Sequence, residues 1–189
     1  LDYAIESGVT YIDTAYPYHD GESEPFVGRV LKKYKREDFY LATKLPMFKI
    51  DSLEQAKEIL EEQMKRLDVD YVDFYLLHAL NKDTWKKVID LNIISYCEEL
   101  KKQGRIKNFG FSFHDDYEVF EEIINYRDWD FCQIQLNYID TDIQAGMKGY
   151  KLTEEKNVPL VIMEPIKGGA LASLSDDIEK VFTDYNQNV

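Results

Sequence analysis

Long apolar runs are missing from this sequence. No stretch approaches the roughly 18 consecutive apolar residues that a membrane-spanning helix needs, so no membrane span is expected. The opening Leu1-Asp2-Tyr3 has neither a basic start nor an apolar core, and no secretory signal peptide is expected. Cysteine is scarce: Cys97 and Cys132 stand far apart in no metal-like spacing. They read as buried free thiols of a reducing compartment, which implies a cytoplasmic protein with no metal centre. Positive charge is in deficit, with 23 Lys and Arg against 36 Asp and Glu and a net charge of −13. Nucleic acid and anionic membrane are thereby excluded as general partners, because phosphate contacts need clustered cations. A local basic pocket for a phosphorylated cofactor is compatible with that balance. No Gly-x-Gly-x-x-Gly follows any apolar run, so the dinucleotide fingerprint of open doubly wound sheets is absent. No linker, low-complexity tract or charge block divides the chain, and residues 1–189 read as a single domain.

What is present is a recurring alternation. Short β-rich apolar runs fall at residues 10–15, 39–45, 71–78, 106–113, 131–138 and 159–166. Their starts are separated by about the length of one βα unit. Several are apolar on consecutive residues, as strands buried on both faces of a parallel sheet are. Helical patterns lie between them. Ser52 with Gln55 forms a capping-box signature, followed by an apolar face of Leu53, Ala56, Ile59, Leu60, Met64 and Leu67. Further helices are expected over residues 92–103, ending at Gly104, from Asp115 or Asp116 onward, and from Ser23 with Pro25 in its first turn. A helix over the first seven residues precedes the first strand. The fold class is therefore α/β, and a (β/α)₈ barrel is favoured over an open sheet, although six strands do not make eight. Both ends look abrupt, as in a piece of a longer chain.

The polar residues fall where such a barrel keeps its chemistry, at the C-terminal ends of strands. The first run ends at Asp13, with Tyr18 in the next loop; the second ends at Lys44; the third ends at His78. Alone, each has a plain explanation: a loop cap, a packed aromatic, a snorkelling amine, a structural imidazole. Together at one rim they have a chemical logic. A phenol titrates near pH 10 and is a poor acid at neutral pH; a neighbouring ammonium favours its ionised form. A carboxylate keeps that ammonium charged when it is buried. A neutral imidazole can donate a hydrogen bond to a carbonyl oxygen and orient it. Such a site protonates a carbonyl oxygen while hydride reaches the carbon, and hydride requires a nicotinamide cofactor.

These residues resemble a known family. The segment Gly8-Val-Thr-Tyr-Ile-Asp13-Thr-Ala-x-x-Tyr18, then Ser23-Glu24 and Gly28, is similar to the Asp-Thr-Ala-x-x-Tyr signature of the aldo-keto reductases, which are NAD(P)H-dependent (β/α)₈ barrels. Thr43-Lys44-Leu45 and Leu76-Leu77-His78 match that family's next two blocks. The resemblance implies that Tyr18 is the general acid, that Lys44 and Asp13 tune it, and that His78 orients the carbonyl. Gly104-Arg-Ile-Lys-Asn-Phe-Gly-Phe-Ser112 resembles the family's cofactor block, which makes Ser112 a ligand of the nicotinamide carboxamide together with Gln133. The family usually has Asn after that serine; here Phe113 and His114 follow. In Val161-Ile-Met163-Glu-Pro165-Ile166-Lys167-Gly168-Gly169, Met163 stands where an aromatic ring often stacks on nicotinamide. Pro165, Ile166, Lys167 and Gly168 then belong to the loop that cradles the pyrophosphate. This version resembles a bacterial and archaeal subgroup, some of whose members carry a C-terminal iron–sulfur segment. The chain holds no cysteine cluster, and none is expected.

Relative to that family the first and last strands are missing, which leaves an incomplete barrel of about six strands with open edges suited to self-association. The loop that would discriminate NADP from NAD is absent with them, and cofactor binding by the 189 residues is expected to be impaired. The leading expectation is reduction of an aldehyde or ketone to an alcohol. A non-catalytic nicotinamide-binding or regulatory protein on the same barrel stands beside it. So does a lyase or isomerase using Lys44 as a Schiff-base amine.

Overall fold

The computed structural model describes residues 1–184. Six strands form one all-parallel sheet in sequence order: β1 (Tyr11–Asp13), β2 (Tyr40–Leu45), β3 (Val72–Leu80), β4 (Ile106–Phe113), β5 (Phe131–Gln135) and β6 (Leu160–Met163). The helices are α1 (Asp2–Glu6), α2 (Ser23–Leu31), α3 (Leu53–Leu67), α4 (Lys82–Asp90), α5 (Ile93–Lys102), α6 (Tyr117–Tyr126), α7 (Gly146–Lys156) and α8 (Asp176–Asp184).

The sheet curls. Side chains from strands that are not neighbours meet on its concave side: the Phe74 ring lies 5.0 Å from Phe131 and 5.4 Å from Tyr11. Ala42, Leu76 and Val161 complete this inner cluster. Residues of opposite parity face outward and join the helices in the larger core, among them Leu41, Tyr75, Leu77, Phe109, Phe111 and Cys132. Curling needs room on the inside, and Gly110 provides it. A Cβ there would sit 2.4 Å from the Phe131 carbonyl oxygen and 2.7 Å from its ring. The edges at β1 and β6 each carry one strand neighbour, as expected of an incomplete barrel.

Local signals explain most elements. Ser52 caps α3 through its Oγ, which accepts from the Gln55 N–H at 3.2 Å. The reciprocal arm differs from the expected capping box: the Gln55 side chain accepts from Asp51, one residue upstream, at 2.7 Å. Ala56, Leu60, Met64 and Leu67 are buried as the periodicity predicts, and a polar residue, Gln63, is buried among them. α4 and α7 were not anticipated. α4 starts from a full capping box between Asn81 and Thr84, a pairing without the usual acidic or amide partner. α7 presents Gly146, Gly149 and Thr153 inward and so has no apolar stripe to read. β3 runs two residues past His78, with its pairing to β4 irregular between Leu77 and Leu80. β1, β5 and β6 are shorter than the apolar runs that mark them.

Candidate active site

The sheet register sets the site. Alternation along β2 sends Thr43 outward and Lys44 inward, next to Leu76 of β3 in register. Asp13 ends β1, and His78 lies on β3 one inward step beyond Leu76. The three side chains therefore gather at the C-terminal rim of the concave face.

Lys44 is only 1% exposed. Burying an ammonium without partners costs several kcal/mol, and here each of its three protons has an acceptor. Nζ pairs with Asp13 Oδ1, reaches the Thr14 carbonyl oxygen at 3.0 Å and the Tyr18 hydroxyl at 3.3 Å. An amine so engaged has no lone pair free to attack a carbonyl, which argues against the Schiff-base reading. Tyr18 sits in a short turn with His19, Asp20 and Gly21, all three in the left-handed region, and stays 38% exposed. Its ring meets His78 edge-on at 5.7 Å. His78 is buried. Desolvation first, then the Lys44 and His114 charges, push its pKa down to about 3, so the imidazole is neutral at physiological pH. Its Nδ1 is buried with no hydrogen-bond partner among the described residues.

Phe48, in the loop after β2, was not singled out in the sequence. Its half-exposed ring lies 5.6 Å from His78, on the wall of the same opening. Nothing in an isolated loop aromatic announces that position. Tyr16 is engaged with α3: its hydroxyl donates to Glu62 at 2.7 Å and its ring lies against Arg66. Trp85 and Trp129 are packing residues, buried against Tyr126 and Phe109.

The expected cofactor ligands fall into two groups. Ser112 and Gln133 are buried register partners on β4 and β5 at the rim. Ser112 Oγ accepts the Ala79 N–H at 2.8 Å and keeps its own proton to donate. Gln133 Nε2 reaches Asp13 Oδ2 across the mouth at 3.4 Å, while its amide oxygen has no partner among the described residues. A hydroxyl donor beside an unpartnered amide oxygen fits a primary carboxamide, which needs an acceptor and a donor. Met163 ends β6, half-buried. Pro165, Ile166, Lys167 and Gly168 form an exposed loop, with Lys167, Gly168 and Gly169 at φ of 46°, 64° and 99°. A Cβ on Gly168 or Gly169 would meet nothing within 4 Å, leaving an open backbone cradle of the kind anions occupy. Lys167 itself is turned to Asp140 at 2.7 Å rather than free; that contact, with Asn137 next, holds the Asp140 carboxyl below the usual range. The residues present thus fit a nicotinamide dinucleotide at both groups.

Comparisons with known proteins show the family and the fold. The sequence pattern of the aldo/keto reductase family matches residues 1–188. The Bacillus subtilis protein "Uncharacterized oxidoreductase YqkF" is 31% identical over 180 residues, covering 90% of this chain and 56% of its own length. The "NADH-specific methylglyoxal reductase" of Escherichia coli is 25% identical over 190 residues, covering 89% and 56%. Among solved structures, the holo form of aldo-keto reductase AKR11C1 from Bacillus halodurans superposes with a TM-score of 0.73 at 30% identity, over 93% of this chain and 59% of that one. The chain thus spans about half the length of the curated relatives it matches.

Proposed function

Because the chain belongs to the aldo/keto reductase family, we propose that its site reduces the carbonyl of a small aldehyde or ketone to an alcohol with NADPH or NADH. The relatives named as methylglyoxal reductases favour a small, reactive aldehyde as substrate. The observation that carries the proposal is the Lys44 ammonium, buried and held between Asp13 and the Tyr18 hydroxyl.

Each residue has a part. The carbonyl oxygen sits between the Tyr18 hydroxyl and the His78 ring. His78 stays neutral and donates from Nε2, since Nδ1 faces the packed interior. Tyr18 gives its proton to the oxygen as the C–O bond becomes an alkoxide. Lys44 stabilises the negative charge that develops on the phenol oxygen, and Asp13 keeps Lys44 charged and fixed. Phe48 shields the opening from water. When bound, the reduced nicotinamide supplies a hydride to the carbonyl carbon. Ser112 and Gln133 would orient its carboxamide, Met163 would pack beside the ring, and the loop of Pro165, Ile166, Lys167 and Gly168 would receive the pyrophosphate through the Ile166 and Gly168 N–H groups, since Pro165 has none and that of Lys167 donates to Glu164.

The buried thiols and the absence, among the described residues, of any helix long and apolar enough to cross a membrane accord with a cytoplasmic protein acting on small molecules. The open β1 and β6 edges support self-association. The test is carbonyl-dependent oxidation of NADPH or NADH. Oxidation that needs the aldehyde and vanishes in Asp13→Asn supports the proposal; aldehyde consumption indifferent to both nucleotides rejects it.

A further inference from the structure

Behind the sheet, on the side away from the mouth, lies a buried polar cluster that the chemistry above does not use. Glu24 of α2 has no exposed surface. It accepts from Thr43 Oγ1 at 2.6 Å, Gln63 Nε2 at 2.8 Å and Arg66 at 3.3 Å. Gln63 Nε2 also lies 3.0 Å from the Lys44 carbonyl oxygen, and Gln63 Oε1 accepts from the Tyr75 hydroxyl at 2.9 Å. Alternation along β2 puts Thr43 into this cluster while the next side chain, Lys44, points into the mouth. Both the backbone and the neighbour of Lys44 are thus gripped from the convex side.

A buried charge cluster is poor evidence for stability, since well-packed apolar residues of similar volume often do as well or better. What an apolar layer cannot supply is a directional hold on one carbonyl. We propose that Glu24, Gln63 and Thr43 are positioning residues for Lys44, fixing its backbone so that the ammonium stays within reach of Tyr18. The inference rests on the reading of Lys44 and Tyr18 as a coupled pair, and the test separates the two.

The probe is the side-chain ammonium signal of Lys44 in the ¹⁵N-labelled protein. A buried ammonium with three acceptors exchanges its protons slowly and gives a signal, assigned by its loss in Lys44→Met. Gln63→Met and Thr43→Val are expected to keep a cooperative melt yet shift this signal and speed its proton exchange roughly fivefold, about what one net hydrogen bond is worth. A purely structural cluster would lower the melting temperature and leave the ammonium signal in place; that result in Thr43→Val, the milder change, overturns the proposal. So does the absence of any Lys44 signal in the unsubstituted protein. Tyr18→Phe serves the other arm. If it leaves the signal unmoved, phenol and ammonium are not coupled and the site reading fails, whatever the cluster variants do.

Discussion

Lys44 carries a charge into a place where almost no water reaches, and the surrounding residues are arranged around that fact. Replacing it by Met removes a buried ammonium and leaves Asp13, about a quarter exposed, able to find solvent. The account therefore expects Lys44→Met to change stability little, within about 1–2 kcal/mol, while turnover falls at least roughly a hundredfold, the low end of what a positioned proton donor contributes. Melting curves and steady-state rates together check it. His78 makes a pH prediction. Its folded pKa of about 3 lies below the ordinary value of 6.5, so between those values the unfolded chain binds more protons than the folded one. Stability therefore rises with pH through that window and is lost as pH falls from about 6.5 toward about 3, by up to roughly 3–5 kcal/mol. His78→Asn should flatten this slope in denaturant titrations, and the His78 ring signal should not titrate between about pH 5 and 8. Asp13, Lys44 and His78 were legible because each is an ionisable group at the end of an apolar run, where packing offers no reason for it, and Tyr18 was singled out in the loop that follows the first of them. Phe48 and Gln63 were not. One is an aromatic in a loop, the other an amide inside an apolar helical stripe, and only the curl of the sheet and the docking of α3 give them partners.

The elements obey the same division between local and tertiary causes. β4 was read to its residue limits although Lys107 and Asn108 interrupt its apolar run, because Ile106 and every residue from Phe109 to Phe113 are buried. β1, β5 and β6 end sooner than their runs, since pairing stops where the chain turns toward the rim. α7 could not be read because its inward face is built of Gly146, Gly149 and Thr153; Gly149 lets the helix close on Phe120, whose ring would lie 3.2 Å from an added Cβ. Two substitutions test these causes. Gly110→Ala drives a methyl into the Phe131 backbone and ring, and should cost about 1–3 kcal/mol or more by forcing β4 from β5. Asn81→Ala removes the acceptor for the Thr84 N–H at 2.9 Å and should cost about 1 kcal/mol, read as a lowered denaturant midpoint with unchanged slope.

As a whole, the described residues form a curled sheet sheathed in helices on its convex side, with a charged mouth at one rim and, among those residues, two strand edges without a further neighbour. A net charge of −13 opposes the meeting of two copies at those edges. Salt screens that repulsion over about 10 Å at 0.1 M and about 3 Å at 1 M. Sedimentation should therefore show mass increasing as salt is raised; a mass independent of salt and concentration would count against edge pairing. The fold class was readable from the spacing of six apolar runs, whereas the closeness of Asp13 to Gln133 across the mouth emerges only once the sheet curls. The central claim concerns one proton, and one comparison tests it most directly: aldehyde-dependent oxidation of reduced nicotinamide by the protein and by its Tyr18→Phe form, with nucleotide binding followed by fluorescence in both. The account predicts unchanged binding and a rate lower by about two orders of magnitude or more in Tyr18→Phe; equal rates in the two forms would contradict it.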